Sequence, residues 1–182
     1  LDREPAGLWM GTFHAIGARL LRRHAQLLGW TNAFTIIDAQ QSLRLIKKTQ
    51  EAVGVDPKRW KPNAVRGHIS NAKNRLLSPQ RFLDDHGESL DLFARTVALV
   101  YPAYQAALKE QNSFDFDDLL VKPTELFATF PEVLERYRAR FSFLLVDEYQ
   151  DTNHAQFSLL ELIARPHGNL MVVGDDDQSI YK

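Results

Sequence analysis

Phe143-Leu144-Leu145-Val146-Asp147-Glu148-Tyr149-Gln150-Asp151 runs from four consecutive apolar residues straight into a cluster of carboxylates. Leu170-Met171-Val172-Val173-Gly174-Asp175-Asp176-Asp177-Gln178 repeats the design 27 residues later. Apolar runs this short and unbroken suit parallel strands covered on both faces, not helices. Gln156 to Ala164, between them, has helical character, so the segment reads as strand, helix, strand with a right-handed crossover. The fold class is therefore α/β, with a parallel sheet on the C-terminal side.

Working back along the chain, helix signals dominate. Phe13, Ile16, Leu20, Leu21, Leu27 and Leu28 follow helical spacing, with Arg19, Arg22 and Arg23 mostly off that stripe and Gly29 as a stop. Asp38 and Gln41 have capping-box spacing ahead of Leu43, Leu45 and Ile46, and Gly54 stands where such a helix would end. Pro57 and Pro62 precede a third helix around Val65, Ile69, Ala72 and Leu76, whose other side carries Arg66, Lys73 and Arg75. Ser78-Pro79 starts a short helix, and an alanine-rich stretch from about Ser89 to Gln111 makes a long one that Pro102 is expected to kink or interrupt. Asp115 caps a helix containing Leu119 and Leu120, and Pro131 opens another. An all-helical unit at roughly 31–112, inserted into an α/β host, is the expected organisation.

Composition narrows the function. The chain has 182 residues, 45% of them hydrophobic, and no cysteine, which excludes disulfides and thiolate metal sites and points to a reducing, cytoplasmic setting. No run of about 18 apolar residues offers a membrane span. The net charge of −1 hides an asymmetry: residues 1–82 carry 14 Lys and Arg against 5 Asp and Glu, and residues 83–182 carry 8 against 18. Such a split fits either oppositely charged helix faces packed together or a basic half that meets a polyanion.

In open α/β sheets ligands bind beyond the carboxyl ends of the strands, where both acidic clusters fall. A carboxylate there can hold Mg²⁺ through retained water, and a neighbouring one can activate the water that attacks a phosphate. Taken alone, these residues leave a phosphoryl-transfer site level with an ordinary solvated sheet end.

The motifs resolve the tie. Leu144 to Asn153, with Asp147-Glu148-Tyr149-Gln150-Asp151-Thr152 at its centre, resembles motif II of superfamily-one helicases of the UvrD, Rep and PcrA type. Val172 to Tyr181 resembles their motif III, and Gly11-Thr12-Phe13-His14 with the following Arg19-Leu20-Leu21-Arg22 resembles motif Ib. Phe114-Asp115-Phe116-Asp117-Asp118-Leu119-Leu120 resembles the segment that re-enters the first motor domain.

The resemblance implies a partial RecA-like, phosphate-loop NTPase sheet domain with an inserted helical domain. Residues 1–30 and 113–182 would belong to motor domain 1A and residues 31–112 to domain 1B. It further implies ATP and Mg²⁺ as cofactors, with Asp147, and Glu148 beside it, at the metal, Glu148 activating water, and Gln178 on the γ-phosphate. Thr12 and His14 would touch single-stranded DNA backbone and Tyr181 would stack under a base. Of the insert's basic residues Lys58, Arg59, Lys61, Arg66, Lys73 and Arg75, the pair Lys73 and Arg75 lies closest to one stripe for DNA contact. The implied partners are single-stranded DNA and its junctions with duplex, and the implied activity is 3′→5′ unwinding. Alternatives are a non-catalytic DNA-binding module and the motor of a RecB- or AddA-like helicase–nuclease.

No glycine is followed by lysine, so the phosphate-loop pattern is absent. The expectation is of an internal fragment that, by itself, does not hydrolyse ATP and is poorly soluble.

Overall fold

The computed structural model describes residues 7–175 and 177. Helix α1 (Phe13–His24) begins where the Thr12 hydroxyl oxygen accepts from the Ala15 N–H, and a 3-10 turn (Ala25–Leu28) ends it at Gly29, whose φ of 85° suits a residue without a side chain. Strand β1 (Thr35–Ile36) then leads to α2 (Ala39–Ala52), started by the reciprocal Asp38 and Gln41 capping box. Pro62 opens α3 (Pro62–Asn74), Ser78 caps α4 (Pro79–His86), and Asp91 caps α5 (Leu92–Glu110).

Helix α5 runs on through Pro102, so the expected interruption does not occur. The turn around the proline is held by burial instead, since Val100, Tyr101 and Tyr104 are all inaccessible. Helix α6 (Asp118–Thr129) likewise contains Pro123, and both are set by tertiary packing over local preference.

Strand β2 (Ser113–Phe114) pairs in parallel with β1, so the points where the chain enters and leaves helices α2 to α5 are zipped together. Neither two-residue strand is long enough to show a period. After α6 and α7 (Pro131–Arg140), strand β3 (Leu144–Val146) leads through α8 (His154–Ala164) to β4 (Leu170–Val172). The two strands are parallel, with Leu144 opposite Leu170 and Val146 opposite Val172. The architecture is mixed α/β with small parallel sheets.

Three apolar clusters hold the chain. Ile46, Val65, Ile69, Val97, Tyr101 and Leu108 join helices α2, α3 and α5. Leu20, Leu126, Phe127, Leu134, Leu159 and Ile163 join α1, α6, α7 and α8. Leu21, Trp30, Phe34, Phe114 and Leu119 pack beside the β1/β2 ladder. The C-terminal strands differ from expectation, because they are covered on one face only. Val146 is buried, yet Leu145 is 71% exposed and Met171 63%. Helices lie against one side of this pair and, among the described residues, nothing packs on the other. No helix among them is long and apolar enough to cross a membrane.

Candidate functional site

The parallel register of β3 and β4 brings both acidic strand ends to one edge. Past the ladder the Val173 N–H donates to Val146 O at 2.8 Å and the Tyr149 N–H to Val173 O at 2.9 Å, so the two loops leave the sheet side by side. Asp147 and Glu148 are exposed there. Glu148 has φ 52°, a left-handed conformation that a non-glycine residue adopts at a local energetic cost, and such strain gathers at functional sites. The Asp147 carboxylate accepts from the Glu148 N–H at 3.0 Å.

Gln150 joins the two loops. Its Nε2 donates to Glu148 Oε2 at 2.6 Å while its Oε1 accepts from the Asp175 N–H at 3.1 Å. Gly174 permits this approach, since a Cβ there would meet Gln150 Oε1 at 2.8 Å. Sequence reasoning overlooked Gln150; the signal was an amide two residues beyond a carboxylate, in a loop facing a glycine. Among the described residues no three carboxylate or imidazole groups converge on one point. The exposed Asp147 carboxylate is a hard oxygen donor, of the kind that Mg²⁺ takes.

Thr12 and His14 stand together at the start of α1. Thr12 is exposed, and its hydroxyl hydrogen remains available as a donor while the oxygen caps the helix at 3.2 Å from the Ala15 nitrogen. The His14 ring stacks on exposed Phe116 with centroids 3.8 Å apart. Burial lowers the imidazole pKa, against the opposing pull of the Asp117 carboxylate. His14 therefore holds a proton less readily than a free imidazole and stands beside an exposed aromatic ring. The segment resembling motif Ib thereby touches the one beginning at Phe114.

The structure corrects the placement of Lys73. This residue, expected on a basic face open to DNA, is fully buried, with Nζ 2.8 Å from both Asp115 Oδ2 and Asp118 Oδ1. Tyr104 donates to Asp115 Oδ2 at 3.0 Å, and Gln105 Nε2 lies 3.2 Å from both oxygens of Asp118. Burial disfavours the charged ammonium, but the two carboxylates outweigh it and hold Lys73 above the usual lysine range. One cation cannot neutralise two acids. Burial and the Asp115 carboxylate accordingly push Asp118 up to about 6, while Lys73 and its companion hydrogen bonds overcome burial to hold Asp115 low. Lys73 locks α3 to the start of α6 and is not available to a phosphate. Arg75, at the end of α3, is exposed. Gln178 and Tyr181 lie outside the described residues.

The UvrD/REP helicase N-terminal domain matches residues 2–182. An ATP-dependent DNA helicase PcrA from Leuconostoc citreum is 46% identical over 175 residues, 96% of this chain and 23% of the relative. The protein of the same name from Staphylococcus epidermidis is 44% identical over 181 residues, 100% of this chain and 24% of the relative. One from Staphylococcus aureus is 44% identical over 174 residues. The chain thus spans about a quarter of the length of these relatives.

Proposed function

We propose, from the premise that the chain belongs to the UvrD/REP helicase family, that it supplies the metal-binding, water-activating and part of the DNA-contacting surface of an ATP-dependent DNA helicase. The observation that carries this reading is the joining of the two acidic strand ends, with Glu148 held in a left-handed conformation and tethered through Gln150 to the β4 loop. Asp147 would hold Mg²⁺, which neutralises charge on the transferring phosphate. Glu148, oriented by the Gln150 amide, takes a proton from the attacking water. Gln178 and Tyr181 would serve the γ-phosphate and a DNA base, and Thr12, His14 and Arg75 the strand's phosphates. In this scheme residues 31–112 form domain 1B on a RecA-like domain 1A, and translocation runs 3′→5′ on single-stranded DNA toward a duplex junction.

The test is ATP turnover by the complete gene product with Mg²⁺ and single-stranded DNA, in wild type and Glu148→Gln. Loss of a general base costs about 10²–10⁴-fold in turnover, while nucleotide and DNA binding persist. A correctly folded wild type that binds DNA but shows no ATP hydrolysis with it would instead make the chain part of a non-catalytic DNA-binding module.

A further inference from the structure

Adjacent residues at the end of α3 reach two different places. Lys73 plugs the buried Asp115 and Asp118 pair, and Asn74 reaches both α8 and the segment before α6. Asn74 Nδ2 donates to Ser70 O at 2.9 Å and to Asp117 Oδ1 at 3.2 Å, and its Oδ1 accepts from Asn153 Nδ2 at 2.7 Å. Chemistry dictates these orientations. A carbonyl and a carboxylate both demand the donating end of the Asn74 amide, leaving only its oxygen for Asn153. Asn153 in turn uses its own oxygen to accept from the Gln156 N–H at 2.9 Å and cap α8, so its nitrogen must face Asn74. The hydrogen bonds form a single directed row from Asn153 through Asn74 to Asp117.

Both ends of that row abut proposed functional residues. Asn153 closes the loop that starts at Asp147 and Glu148, two residues after the 3-10 turn Tyr149–Asp151. Asp117 follows Phe116, on which His14 is stacked, and its charge acts on the His14 imidazole. Lys73 keeps the intermediate residue from drifting, because its two buried ion pairs fix the helix end that carries Asn74.

We propose that Asn74 is a positioning residue that couples the Asp147-Glu148 loop to the DNA-facing Thr12 and His14 surface, through Asn153 on one side and Asp117 on the other. This inference rests on the helicase reading above. A displacement of the Asn153 cap when nucleotide is bound or hydrolysed is passed to the Phe116-Asp117 segment through an amide gripped at both ends. The helical unit of α2 to α5 is thereby a member of the coupling route and not only a surface appended to it.

The experiment compares wild type, Asn74→Ala, Asn74→Asp, Asp117→Asn and the double swap Asn74→Asp/Asp117→Asn in the complete gene product. The swap restores a donor facing an acceptor between positions 74 and 117 and keeps the acceptor for Asn153, but, like Asn74→Asp alone, it sets a carboxylate oxygen against the Ser70 carbonyl, whereas Asp117→Asn alone can still offer its amide oxygen to Asn74. Three quantities are read: basal ATP turnover, the factor by which single-stranded DNA raises it, and DNA affinity. Asn74→Ala removes the bonds to Ser70, Asp117 and Asn153 together; the one to the charged Asp117 alone predicts a fall of about tenfold in the DNA stimulation factor, with DNA affinity within about twofold of wild type. The swap should recover part of the factor lost in Asn74→Asp, the parent that shares its altered Ser70 contact. A stimulation factor for Asn74→Ala within about twofold of wild type, or a swap no better than Asn74→Asp, overturns the assignment. Should Asn74→Ala fail to fold, the swap against Asn74→Asp decides alone. A wild type showing no DNA stimulation at all removes the helicase reading and this inference with it, which separates that failure from a failure of Asn74 itself.

Discussion

Replacing Lys73 with methionine tests the buried ionic lock directly. The substitution keeps an unbranched chain of similar volume, so it creates little cavity and little strain. It removes two hydrogen-bonded ion pairs of 2.8 Å from a site where Lys73 and Asp118 are each only 1% exposed in their side chains. Breaking a buried pair from one side leaves uncompensated charge and costs about 3–5 kcal/mol. Here two carboxylates are stranded, but they can share a proton, because Asp118 already titrates near 6 with the lysine present. The loss therefore belongs in the upper part of that range at pH 8 and in the lower part at pH 5. For a chain of this size each kcal/mol moves the midpoint by about 2–4 °C, so thermal unfolding followed by circular dichroism should show a fall of about 8–20 °C at pH 8. The triple variant Lys73→Met/Asp115→Asn/Asp118→Asn, with no buried charge left, should regain much of the loss. A fall of less than about 3 °C at pH 8 would mean that Lys73 behaves as an exposed pair does, and the lock would be refuted.

Two further outcomes follow from the same geometry. Asp118 has a folded-state pKa above its unfolded value, so the native state binds the extra proton, and this group's contribution to stability declines as pH rises from about 4 to about 6. Asp118→Asn should remove that component, seen as a smaller gain in melting temperature than wild type shows as pH is lowered from about 6.5 to about 4.5; parallel profiles would contradict the assignment. Gly17→Ala in α1 should destabilise, because a Cβ there would fall inside the Leu119 carbonyl of α6. Overpacking costs about 1–3 kcal/mol, more than the roughly 1 kcal/mol that alanine gains from helix propensity. A melting temperature that rises instead would show that α1 and α6 are not in such close contact.

Periodicity and capping chemistry foretold the elements wherever one residue stripe meets one core. Asp38 with Gln41, Ser78 with Pro79 and the two apolar runs at 143–146 and 170–173 are local devices, and each forms within a few residues of where its pattern places it. The unbroken passage of α5 through Pro102 and the burial of Lys73 escaped the sequence for one shared reason. In both cases distant packing overrides a local preference: buried tyrosines sustain α5 across its proline, and carboxylates 42 and 45 residues away neutralise the lysine. Yet Lys73 did carry a mark of its role. Val65, Ile69 and Lys73 recur every four residues, which sets the lysine on the buried stripe of α3 and not on its solvent side. A cation in the middle of an apolar stripe requires an anion from elsewhere in the fold, and Asp115-Phe116-Asp117-Asp118 is a dense acidic group beside Leu119 and Leu120, both of which are buried. Asn74 carries no comparable mark, since an amide is at home on either side of a helix. Its place between Asn153 and Asp117 depends on three segments meeting, and that meeting is itself arranged by the lysine one position before it.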